Sequence, residues 1–174
     1  MEQILNQLPD YAKDTKINLQ NLFNQSNQLL DNQQIFGCLL ACTLTLKNPK
    51  LLIYVNQLIA NQLDQTQINA IKIASTMMAM NNIYYRFIHL IKDDEYSQMQ
   101  AGLRMRTLLD HRISQVDFEI YCLAISIING CGKCIDAHVE QLLKNNLNKS
   151  QIQMIAKIAS IINSLNQVLE IENN

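Results

Sequence analysis

Lys72-Ile73-Ala74-Ser75 returns unchanged 85 residues later as Lys157-Ile158-Ala159-Ser160. At the same offset Gln34-Ile35-Phe36 lines up with Glu119-Ile120-Tyr121, and Thr66-Gln67-Ile68 answers Ser150-Gln151-Ile152 one residue out of step. Self-similarity at a fixed period predicts a duplicated supersecondary unit. Its copies cover about 31–91 and 116–172 within one domain, residues 1–174. The apolar residues around these matches keep helical spacing. Of the residues 48% are hydrophobic, and 4 Gly and 2 Pro are too few to punctuate the many turns of a β protein. The expected fold class is all-α, built from two similar helical halves.

Working outward, local signals place the helices. Residues 1–26 read as a short helix followed by one opening at Pro9, where the missing N–H costs nothing in a first turn. Asp31 caps a helix over about 32–47, and Asn48-Pro49 ends it and begins another, to about 62. Asp64 caps a helix over 65–80 that continues from Asn81 to Ile91, and the polar run from Lys92 to Gln100 is expected to be a loop.

A net charge of −1 gives no clustered basic face for nucleic acid. No basic start followed by an apolar stretch marks a signal peptide, and no run of 18 or more apolar residues marks a membrane span, so a soluble, cytoplasmic protein is expected. In that compartment the 5 cysteines are reduced at rest, and a Cys-x-x-Cys points to redox or metal chemistry rather than to a structural staple. Cys38, Cys42 and Cys122 sit in apolar helical runs and read as small core residues. His89 and His111 lack partners at ligand spacing and read as surface or helix-end residues.

The chemistry concentrates in Gly130-Cys131-Gly132-Lys133-Cys134-Ile135-Asp136-Ala137-His138. Spacings of three and four put both thiols and the imidazole on one strip of a helix. Asn129-Gly130 stops the preceding helix and the next begins at about Cys131, so both sulfurs fall in a first turn. There the helix dipole, unpaired N–H groups and the Lys133 cation are expected to lower a thiol pKa. Glu119 lies twelve residues before Cys131, roughly 18 Å along a helix. A tight turn would fold it back to within about two turns of His138, leaving a gap for a water or a side chain. The expected proton path runs from Cys134 to His138 to Glu119, the carboxylate orienting the ring. At the 85-residue offset the first copy has Gln34 for Glu119, Leu46 for Cys131, Pro49 for Cys134 and Ile53 for His138. The scaffold recurs without its reactive groups.

The pattern E-x11-C-x2-C-x3-H, preceded by Ile128-Asn129-Gly130, resembles the alkyl hydroperoxide reductase D (AhpD) family of the carboxymuconolactone decarboxylase-like superfamily. Leu8-Pro9-Asp10-Tyr11-Ala12-Lys13-Asp14, Asn48-Pro49, Met80-Asn81-Asn82-Ile83-Tyr84-Tyr85-Arg86 and Gly102-Leu103-Arg104-Met105 extend the resemblance over nearly the whole chain. It implies that Cys134 is the attacking thiol, passing through a sulfenic acid. Cys131 would be the resolving thiol and proton donor that also forms the mixed disulfide with a partner. His138 and Glu119 would be the relay. It further implies a homotrimer acting on organic hydroperoxides or on an AhpC-type peroxiredoxin, with no bound cofactor and with dihydrolipoamide on a lipoyl carrier protein as electron donor. Familiar members carry Ser-His between the cysteines; Gly132-Lys133 stands here, so only thiolate stabilisation can pass to Lys133.

The alternative is a zinc-binding structural protein held by Cys131, Cys134, His138 and Glu119, although structural zinc sites usually bring a second short-spaced Cys or His pair. A decarboxylase of the wider superfamily would not need the dithiol.

Overall fold

The structure, a computed structural model, describes residues 2–26, 29–91 and 93–172. Among the described residues the chain forms α-helices and two 3-10 turns, with no strand. In order these are α1 (Glu2–Gln7), a 3-10 turn (Asp10–Ala12), α2 (Lys13–Ser26), α3 (Asn32–Leu46), α4 (Pro49–Ile59) and α5 (Gln65–Ile91). They are followed by α6 (Asp94–Gln98), a second 3-10 turn (Arg106–Leu109), α7 (Gln115–Ile128), α8 (Gly132–Lys144) and α9 (Lys149–Ile171).

The caps explain most boundaries. Asp31 and Gln34 close a reciprocal capping box at the start of α3, with Gln34 N donating to Asp31 Oδ1 at 2.8 Å. Asp64 with Gln67, and Asn148 with Gln151, repeat the device at α5 and α9. Two expectations need correction. α4 stops at Ile59 rather than near 62, because the Ile59 carbonyl accepts from both Gln62 N and Leu63 N and tightens the chain into a turn. The expected loop at 92–100 holds the short helix α6, started by Asp93, whose carboxylate accepts from Glu95 N at 3.0 Å; Lys92 lies outside the described residues.

α3 and α7 form the centre and pack on each other; α5 lies against both and against α8, α9 packs on α3 and α7 and carries α2, and α4 packs chiefly on α3. The central pair approaches closely because residue 37 is glycine: a Cβ there would overlap the ring of fully buried Tyr121. Cys38, Cys42 and Cys122 are free and buried in this centre. Burial raises all three thiols, Cys42 to about 12, and that keeps them protonated and inert.

Counting from cap to cap moves the internal register. The caps Asp31 and Ser114, and Asn48 and Cys131, are each 83 residues apart, and Asp64 and Asn148 are 84 apart. The buried stripe of α5, Ala70, Ile71, Ala74 and Met78, likewise meets Met154, Ile155, Ile158 and Ile162 of α9 at 84. The identical tetrapeptide is one residue off that stripe, so identity of letters misplaced the helical face. The structural counterparts of Cys131, Cys134, His138 and Glu119 are therefore Asn48, Leu51, Val55 and Phe36, not Leu46, Pro49, Ile53 and Gln34.

Candidate active site at the α7–α8 corner

α7 ends in a Schellman arrangement. Gly130 takes φ +64°, a left-handed value suited to glycine, while Gly130 N donates to Ile127 O and Cys131 N to Ser126 O, each at 3.1 Å. Cys131 is thus the last residue tied to α7 and the N-cap of α8, and Cys134 is the third residue of α8. The two form a disulfide with Cα atoms 5.3 Å apart. Cys131 makes no side-chain cap hydrogen bond. Its sulfur goes to the third residue, where an N-cap oxygen would take that residue's N–H.

Burial ranks the sulfurs. Cys131 is 0% exposed, whereas Cys134 is 6% exposed and lines a 210 Å³ pocket with Met78, Asn81, Tyr85, Leu108 and His138. Of the two sulfur-bearing residues, Cys134 is the one that lines the pocket. Lys133 is exposed, lines the same pocket and rests its Nζ 5.7 Å over the Tyr85 ring.

His138 and Glu119 meet directly, with Nδ1 2.7 Å from Oε2 and side chains 15% and 13% exposed, so no water or side chain separates them. The ring N–H at Nδ1 donates to the carboxylate and leaves Nε2 for proton exchange. The other carboxylate oxygen accepts from Gln115 Nε2 at 2.8 Å, and Gln115 Oε1 lies 3.1 Å from His111 Nε2. Ile113 N donates to His111 Nδ1, which leaves the ring proton on Nε2 facing Gln115. His111, stacked on Phe118 at 4.1 Å, is therefore tied to the site through one glutamine.

Four residues that carry no reactive group hold the corner. Asn82 of α5 donates to Ser126 Oγ at 3.0 Å and accepts from Asn129 Nδ2 at 2.9 Å, and Arg86 donates to the Asn129 carbonyl. Their sequence signal was present in Asn81-Asn82-Ile83-Tyr84-Tyr85-Arg86, but which partner each would meet lay more than forty residues away. The zinc reading loses its ligand set. The sulfurs are bonded to each other, and no three His, Cys, Asp or Glu converge as a metal site among the described residues. No helix is long and apolar enough to cross a membrane among those residues.

The Carboxymuconolactone decarboxylase family pattern matches residues 94–170, the part holding α7, α8 and the dithiol. The chain is 48% identical over 168 residues to the alkyl hydroperoxide reductase AhpD of Coxiella burnetii (strain RSA 493 / Nine Mile phase I), covering 96% of this chain and 95% of that one. It is 40% identical over 173 residues to the protein of that name from Maricaulis maris, covering 99% of each, and 39% identical over 170 residues to that from a Bradyrhizobium species, covering 98% and 93%. With the dithiol corner and near full-length identity in hand, the chain belongs to the AhpD family of alkyl hydroperoxide reductases.

Proposed function

We propose that this chain is an antioxidant thiol–disulfide oxidoreductase with alkyl hydroperoxidase activity. The observation that carries the reading is Cys134 lining an apolar pocket beside the hydrogen-bonded His138–Glu119 pair. In the reduced form the Cys134 thiolate attacks the terminal oxygen of a hydroperoxide, the O–O bond breaks, and the departing alkoxide takes a proton from His138. Cys134 is left as a sulfenic acid. The Cys131 thiolate attacks that sulfur, hydroxide leaves and is protonated to water, and the disulfide forms. Two electrons from two thiols have converted ROOH into ROH and water. The α8 N-terminus supports the thiolate, since no side chain occupies its first-turn N–H groups as a cap.

A dithiol restores the site by two exchange steps, and by resemblance it is a dihydrolipoyl group on a carrier protein. The restored Cys131–Cys134 dithiol can also reduce the disulfide of an AhpC-type peroxiredoxin by thiol–disulfide exchange. No resident metal or cofactor takes part in this scheme. Ile83, Phe87 and Leu90, exposed along one stripe of α5, offer an apolar face that supports assembly into the homotrimer the family pattern implies.

The test is turnover of tert-butyl hydroperoxide with dihydrolipoamide as sole reductant. Catalytic turnover that disappears in Cys134→Ser supports the proposal; turnover unchanged in that variant overturns it.

A further inference from the structure

Asn81 is 6% exposed, lines the pocket that holds Cys134 and His138, and its buried Oδ1 has no hydrogen-bond partner. Its neighbour on α5 is the instructive control. Asn82 is 1% exposed and fully engaged, donating to Ser126 and accepting from Asn129. Buried amides are almost always satisfied, and one that is not destabilises the fold unless something else fills the role. None of the groups around it hydrogen-bonds this oxygen: Met78, Leu108 and Ala137 are apolar, Lys133 Nζ rests over the Tyr85 ring, and His138 is held at Nδ1 by Glu119.

We infer that the Asn81 amide is the polar anchor for the reacting hydroperoxide group. The inference rests on the proposed peroxidase reading and names the residue that would bind its substrate. An amide carries donors and an acceptor on one planar head, and a hydroperoxide presents one O–H donor and two acceptor oxygens, so the two are complementary. Held by Asn81, the peroxide lies between the Cys134 sulfur, which attacks its terminal oxygen, and His138, which protonates the departing one. Asn81 donates to the departing oxygen as negative charge develops there, so the contact strengthens along the reaction. The apolar walls and 210 Å³ of space select the other half of the substrate. A cavity of about 150 Å³ accepts benzene, so the fitting class is a hydroperoxide with one compact alkyl or aryl group.

The test compares Asn81→Leu, which keeps the bulk, with Asn81→Ala, which opens space. For the reduced proteins we measure the rate of oxidation by tert-butyl hydroperoxide; for the oxidised proteins, the rate of disulfide reduction by dithiothreitol; and for both, the Tm. Both variants are expected to lose about 10- to 100-fold in peroxide kcat/KM. Disulfide reduction should stay within about twofold, since dithiothreitol needs no peroxide anchor, and Asn81→Leu should melt at or above the wild-type temperature because it removes an unpaired amide. Peroxide rates equal to wild type in Asn81→Ala would overturn the assignment. So would a Tm and both half-reactions falling together in Asn81→Leu, the mark of a structural residue. A wild-type protein that peroxide does not oxidise would instead overturn the peroxidase reading itself, and the anchor with it.

Discussion

The α3–α4 corner and the α7–α8 corner are built alike and used differently. Each has a left-handed residue, then an N-cap, then a helix start: Lys47 (φ 60°), Asn48 and Pro49 in the first, Gly130 (φ 64°), Cys131 and Gly132 in the second. In the first, Asn48 Oδ1 accepts from Leu51 N at 3.0 Å, its Nδ2 donates to Glu170 at 2.6 Å, and Leu51 and Val55 are buried in the core. In the second, the N-cap and the third residue are joined through sulfur, and the position of Val55 is taken by His138 on its carboxylate. A cap contributes about 1 kcal/mol and a starting proline pre-sets φ, so the first corner is made for stability. The second gives up both. It leaves the first-turn N–H groups free for a thiolate, which shows that a helix N-terminus can serve as a joint or as a reaction site, but is poorly placed to be both.

Rebuilding the first corner in the second is the sharpest way to break this contrast. A Cys131→Asn/Cys134→Leu variant should lose at least about 1,000-fold in hydroperoxide turnover. It should also melt above the reduced wild type by an amount worth about 1 kcal/mol, read by calorimetry, as the cap is restored. A smaller loss is expected for Glu119→Gln, which keeps the shape but not the charge opposite His138: about 100-fold in kcat, with the Cys131–Cys134 disulfide still forming.

The inert thiols supply a pH test. Burial holds Cys38, Cys42 and Cys122 above the unfolded value, so as pH rises past about 8.5 the folded chain binds more protons than the unfolded one. Stability conferred by these groups is fully present below about pH 8.5 and is lost as pH rises, by up to about 1.4 kcal/mol per thiol per pH unit. Urea unfolding at pH 8, 9 and 10 should show the decline, and replacing Cys42 by Ala should reduce its slope by about a third. The smallest effect is expected for Asn48→Ala: about 1–2 kcal/mol of stability, or roughly 3–6 °C in Tm, with peroxide turnover unchanged.

What was legible in the sequence was local. Asp31, Asn48-Pro49, Asp64 and Gly130 act within a turn of themselves, and each sits at the boundary it announces. Glu119 and His138 can be paired from the sequence because one tight turn joins their helices, but helix spacing alone leaves room for a water where the two make direct contact. The clamp of Asn82, Arg86, Ser126 and Asn129, and the link from His111 through Gln115, were not legible, since nothing local says which distant amide meets which. The repeat register slipped for a related reason: a buried stripe is fixed by what it packs against, and an identical exposed Lys72 or Lys157 carries no such constraint.

The most direct test of the account counts thiols per reduced chain before and after one equivalent of tert-butyl hydroperoxide, in the wild type and in Cys134→Ser. The account predicts five falling to three in the wild type, regained with dihydrolipoamide, the remaining three mapping to Cys38, Cys42 and Cys122, and four that stay four in the variant on the same timescale. Oxidation that consumes a buried thiol, or that proceeds at the wild-type rate without Cys134, would contradict it.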